Sequence, residues 1–148
     1  MPHSSCNRKL EKFFTNSVWI VPKSTLLAYL MVDGIAKPVK DQTVWVVNGY
    51  KDGYIFGQSF TALDKAPFST DIFYGSITPE GKVLLTFQGN STNTGIGTFN
   101  HKKFTMQINA GSLTHWSYMK NVVPSDCDYQ KLPGVGISIP EFISLFNY

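Results

Sequence analysis

Apolar and polar residues alternate in five short runs between Asp71 and Met119: Asp71–Thr78, Lys82–Gln88, Gly95–Phe99, Lys103–Asn109 and Leu113–Met119. Alternation with period two, bounded by turn residues, predicts half-buried β-strands. Pro79-Glu80-Gly81 supplies the first turn: proline presets φ and glycine takes the positive-φ position that closes a short hairpin loop. Folding about it pairs Ile77 with Val83, Gly75 with Leu85 and Phe73 with Phe87, an apolar face. The opposite face, Ser76 with Leu84, Tyr74 with Thr86 and Ile72 with Gln88, is mixed. A second turn at Asn109-Ala110-Gly111 sets Phe104 opposite Trp116, Met106 opposite Thr114, Thr105 opposite His115 and Gln107 opposite Leu113. One face then collects Phe104, Met106, Ile108, Trp116 and Tyr118. The other carries Thr105, Gln107, His115 and Ser117. Two hairpins with one apolar face each form a meander that must bury that face.

The rest of the chain extends this pattern. Ser4–Phe14 has helical spacing at Leu10, Phe13 and Phe14, with Ser4 or Ser5 as N-cap. Ser17–Val21 predicts a first strand ended by Pro22. Thr25–Val32 predicts a second, apolar enough for burial on both faces, with helix as the alternative; Pro38 breaks the linker after it. Thr43–Gly49 and Tyr54–Phe60 predict a hairpin about Asp52-Gly53, with Trp45 opposite Phe60 and Val47 opposite Gln58. Leu63–Thr70 reads as a loop. After Lys120, Pro124, Pro133, Gly134 and Gly136 mark an irregular tail that either wraps the barrel or shapes a site. Ser138 and Glu141 have capping-box spacing around Pro140, so the chain should end in a helix with Phe142, Leu145 and Phe146 as its stripe. That stripe packs on its own barrel or forms a subunit contact, giving a homodimer.

The expected fold is mainly β: one domain over 1–148, a single antiparallel up-and-down barrel of about eight or nine strands. A helix over 1–16, strands over 17–120, and a tail with a terminal helix over 121–148 make it up. Closure removes the edges an open meander would expose. The arrangement resembles the calycins, the lipocalin- and avidin-like meander barrels, on the strength of Trp19 in the first strand after a short helix and the hairpin series Thr43–Met119. Ser17-Val18 precedes Trp19, so the lipocalin Gly-x-Trp signature is absent. The resemblance implies a small apolar molecule held in the barrel.

Composition agrees. Aromatic residues make up 14% of the 148 residues and charged residues only 16%, against roughly 25% charged in average domains. The net charge is +3, yet the cations include a single arginine, Arg8. Arginine is the residue of bidentate phosphate contacts, so nucleic acid is not an expected partner. No apolar run reaches membrane-span length, and the N-terminal residues lack the apolar core of a signal peptide. Cys6 and Cys127 read as reduced thiols of a cytoplasmic protein, or as a clamp between the two ends after export. In a cytoplasmic protein the sequon Asn90-Ser91-Thr92 carries no meaning.

Candidate chemistry is sparse. No HExxH, CxxC or His-x-His occurs, so no metal and no cofactor is expected. Lys23-Ser24-Thr25 lacks the glycines of a phosphate loop. Gly95-Ile96-Gly97 reads as strand glycine, and Cys127 between two aspartates is a poor nucleophile. Asp33, Asp41, Asp52, Asp64, Asp126 and Asp128 read as loop residues and only Asp71 as a strand-edge carboxylate, so no carboxylate pair of a glycosidase is expected. The ligand-lining candidates are Trp45, Phe56, Gln58, Phe60, Phe73, Phe87, Phe104, Met106, Trp116 and Tyr118. These predict non-catalytic binding of a small hydrophobic or aromatic molecule. The alternatives are an isomerase, cyclase or lyase with His115 and Tyr118 as acid and base, or a self-associating module. The turn register puts His115 on an outer polar face, and regular alternation puts it opposite Tyr118.

Overall fold

The computed structural model describes residues 2–22, 27–63 and 68–146, with side chains from residue 8 onward. Helix α1 (Pro2–Phe14) leads into β1 (Val18–Ile20), β2 (Ala28–Val32) and β3 (Ile35–Val39). Seven longer strands follow: β4 (Asp41–Lys51), β5 (Tyr54–Leu63), β6 (Ser69–Ile77), β7 (Lys82–Gln88), β8 (Thr92–Asn100), β9 (Lys103–Ala110) and β10 (Leu113–Val122). Two short helices, α2 (Cys127–Gln130) and α3 (Ile139–Ser144), complete the chain. Strands β4 to β10 pair in sequence order, each antiparallel to the next, and β1 pairs with both β4 and β10. That closes an eight-stranded up-and-down barrel, the architecture that the calycin resemblance implies. Strands β2 and β3 form an extra hairpin, joined to the start of β10 by Leu30 opposite Leu113 and Tyr29 opposite Thr114. Among the described residues no helix is long and apolar enough to cross a membrane.

The β6–β7 register is as the turn predicts, from Ile77 opposite Val83 to Ile72 opposite Gln88. Gly81 explains why. Its φ is +84°, and a Cβ there would fall 2.4 Å from the Phe99 carbonyl oxygen. Only glycine fits both demands, so the loop has one register.

Two registers differ from expectation, and each moves a face. Asp52-Gly53 does make a two-residue turn with positive φ at both positions, as in a type I′ hairpin. A bulge between Val47 and Gly49 then shifts the pairing by one, so Trp45 lies opposite Ser59, not Phe60, and Val47 opposite Gly57, not Gln58. The β9–β10 turn sits at Gly111-Ser112, with Ala110 opposite Leu113. Phe104 therefore pairs with Met119, Met106 with Ser117 and Ile108 with His115. A slip by an odd number of residues exchanges the two faces of a strand. His115, Ser117 and Met119 face inward, and Trp116 and Tyr118 face solvent.

Of the second predicted strand, Thr25 and Leu26 lie outside the described residues; β2 is half exposed, with Tyr29 and Met31 open to solvent rather than buried on both sides. Strand β3 was not anticipated because of Pro38. It is an edge strand, where a missing N–H costs no ladder bond. Helix α1 begins at Pro2, ahead of the expected caps Ser4 and Ser5, whose side chains lie outside the described residues. Lys23-Ser24-Thr25 and part of the Leu63–Thr70 loop also lie outside them, and both flanking strands run further into that loop than expected.

Two cores result. Inside the barrel, Trp19, Trp45, Val47, Tyr50, Ile55, Phe73, Leu85, Phe87, Phe104 and Met106 pack together with Phe14 of α1. Outside it, Ile20, Val44, Phe60, Ala62 and Val122 are covered by Leu132, Ile139, Phe142 and Phe146 of the tail. The expected cap is present: the Ser138 hydroxyl accepts the Glu141 N–H, with Pro140 in the first turn. The C-terminal stripe thus packs on its own barrel, and of its three residues only Leu145 is exposed. Full burial of Phe142 and Ile139 contributes about 1.5–3 kcal/mol each.

Candidate functional site

The barrel interior is filled at one end and hollow at the other. At the filled end Phe14 plugs the barrel, with ring centroids 5.0 Å from Tyr50, 5.2 Å from Phe99 and 6.2 Å from Phe104. Trp19 continues the stack at 4.8 Å from Phe104. Toward the other end the inward side chains become small and polar: Thr43 on β4, Ser59 and Thr61 on β5, Asp71 on β6, His115 on β10. The space they leave is a cavity of about 540 Å³, open at the mouth, with Trp45, Phe87 and Ile108 as its apolar floor. Ligand cavities fall between about 300 and 1,000 Å³.

An Asp–His pair is built into the wall of this cavity. Strand β1 ends at Ile20, and β2 takes up the pairing with β10 only at Tyr29. In that interval β4 and β10 meet through side chains, with His115 Nδ1 3.1 Å from Asp41 Oδ2. The side chains are only 9% and 8% exposed. The second Asp41 oxygen accepts a 2.8 Å hydrogen bond from the Thr43 hydroxyl. Thr43 Oγ1 lies 3.2 Å from Thr61 Oγ1; with the Thr43 proton committed to Asp41, Thr61 is the donor there. The network uses both carboxylate oxygens, as burial demands, and fixes the imidazole with its Nδ1 proton toward Asp41.

Asp71 has a different setting. No hydrogen bond or ion pair with a described residue reaches its carboxylate, and burial alone pushes its pKa up. Tyr50, at the filled end, is also raised, chiefly by burial, with a smaller effect of Asp52 in the same direction and an opposing hydrogen bond to the Gly53 backbone. Among the described residues no group of three or more metal-ligating side chains comes together.

The ten expected lining residues divide by face. Trp45 and Phe87 line the cavity. Phe73, Phe104 and Met106 face inward but lie in the packed core beneath it. Phe60 is buried outside the barrel, 5.2 Å from Phe146. Phe56 and Gln58 face solvent because of the bulge; the Phe56 ring covers Gly49, where a Cβ would fall 2.4 Å from Cζ. Trp116 and Tyr118 are on the outer surface, edge to face at 5.8 Å, with Lys103 over the Tyr118 ring. Of the two acid–base candidates, then, His115 lines the cavity and Tyr118 is outside it. The expectation that no two carboxylates share a cleft also fails, since Asp41 and Asp71 both line this one. Asp41, expected in a loop, opens β4. The signal was present in Asp41-Gln-Thr-Val-Trp-Val-Val47, whose odd positions all face inward up to the bulge. The tail does not shape the site: no described residue beyond His115 lines the cavity.

No protein-family model, curated protein or solved structure matches this chain. Its chemistry is therefore read from the cavity itself.

Proposed function

We propose that this protein binds a small, largely apolar or aromatic molecule in the open half of its barrel, without transforming it, in the manner of a calycin. The observation that carries this reading is the change along one barrel axis from packed rings to a ligand-sized hollow floored by Trp45 and Phe87. Apolar burial against that floor supplies affinity, at about 25 cal/mol per Å² of apolar surface removed from water. The hydroxyls of Thr43, Ser59 and Thr61 orient polar substituents.

Native mass spectrometry followed by denaturing extraction tests the binding reading. A stoichiometric small molecule should be released from the wild type and be absent from Ser59→Leu, whose larger side chain enters the hollow opposite Trp45. A ligand retained by that variant would place binding elsewhere.

The Asp41–His115 pair favours one second reading, an isomerase, cyclase or lyase acting on a hydrophobic substrate. A carboxylate that fixes a histidine tautomer beside a cavity is the arrangement of a general base and its positioning group. A lipophilic metabolite extract incubated with wild type and with His115→Asn separates the two readings. A compound consumed by the wild type alone would establish catalysis; identical extracts would leave binding.

A further inference from the structure

Resting on the reading of the hollow as a ligand site, we propose that its ligand is a cation: a primary or secondary amine on an aromatic or apolar body, its ammonium group bound by Asp71. Three observations support this. The charge of the lining is one-sided. Asp41, Asp71 and His115 are its only ionisable side chains among the described residues, none of them a lysine or arginine, although the chain as a whole carries a net charge of +3. Asp41 has both oxygens engaged with His115 and Thr43, whereas Asp71 has no polar partner among the described residues. A ligand ammonium provides the counter-charge and hydrogen-bond donors that no described residue offers it.

The third observation is Gly89. Its φ is not positive, so the backbone does not require glycine there. A Cβ at Gly89 would fall 2.0 Å from Asp71 Oδ1. The residue that leaves room for the carboxylate is thus a glycine with no conformational need to be one. The aromatic floor fits the same ligand, since Trp45 can stack on an aromatic body and its face attracts a cation.

Calorimetric titration with three probes of one shape tests the proposal: tryptamine, its neutral alcohol analogue tryptophol, and the anionic indole-3-propionate. Tryptamine should bind about tenfold or more tighter than tryptophol, a margin in the range of charge-assisted hydrogen bonds, and indole-3-propionate weakest. Asp71→Asn should bring tryptamine to the level of tryptophol. Gly89→Ala, which keeps the charge but displaces the carboxylate, should weaken tryptamine alone. Equal affinity for all three probes, or an Asp71→Asn variant that binds tryptamine undiminished, would overturn the cation assignment while leaving the hollow a ligand site. Failure of all three probes to bind, with no small molecule released in native mass spectrometry, would overturn both.

Discussion

The two halves of this barrel are built from the same strands with the same alternation, yet one is a packed core and the other holds a cavity. At the filled end, inward positions carry Phe14, Trp19, Tyr50, Phe99 and Phe104, whose rings meet edge-on or tilted at 4.8–6.2 Å. At the open end the equivalent positions carry Thr43, Ser59, Thr61, Asp71 and His115. The hollow owes nothing to a change of fold; it is the volume by which serine and threonine fall short of phenylalanine. On the proposed reading, stability and binding belong to different ends of one tube, and changes at each end should have separable effects.

The largest effect is expected from Phe104→Ala. Phe104 is fully buried and packs against Phe14, Trp19, Trp45 and Phe99, and its truncation should cost about 3–5 kcal/mol in urea unfolding. Asp41→Ala comes next. It leaves the His115 imidazole and the Thr43 hydroxyl to find new partners in a nearly enclosed wall, at a cost of about 1–3 kcal/mol. A loss as large as that of Phe104 would mean that the open end is as much core as the filled one. Trp116→Ala should cost only about 1 kcal/mol, since this ring is 45% exposed and its edge-to-face contact with Tyr118 is the main loss. A loss of several kcal/mol would contradict the observed β10 register.

The smallest effect carries a sign. The folded-state pKa of Asp71 is raised from its ordinary value of 3.8 by burial. Between the unfolded and folded pKa values the native state holds more protons than the unfolded one, so this group makes stability fall as pH rises through that window. Asp71→Asn removes the penalty. The variant should match wild type below the unfolded pKa and be slightly more stable at neutral pH, as denaturant titrations at the two pH values would show. Equal stability at both would mean that the carboxylate is solvated as it is in the unfolded chain.

The filled end was legible in the sequence because its turns have one solution. Pro79-Glu80-Gly81 fixes a register, and the register fixes Phe73, Leu85 and Phe87 as inward. The open end was not, for two local reasons. Gly111 is compatible with a turn centred on either side of it, and a turn at Asn109-Ala110-Gly111 places Trp116 and Tyr118 on the inward face, whereas the pairing runs from Ala110 opposite Leu113. The bulge at Asn48 carries no proline or other obligatory signal, and it decides that Ser59, rather than Phe60, faces the interior. The third reason is distance. Asp41 and His115 belong to strands far apart in the sequence, and they meet between the stretch of β10 that pairs with β1 and the stretch that pairs with β2. The C-terminal helix, by contrast, was readable from Ser138, Pro140 and Glu141 alone, since a cap is a contact between near neighbours.

Strand β1 also governs the order of assembly. Its partner β10 is made long after it; the Asn121 amide reaches the Val18 carbonyl across 103 residues of chain. Contacts of such separation are formed late and slowly, because the loop between them must be ordered before they repay it. A nascent chain that lacks β10 has neither the seam that closes the tube nor the histidine of its wall. On the proposed binding reading, ligand capture should therefore appear only once β10 is present to close the tube, with no partial binding by chains truncated before it.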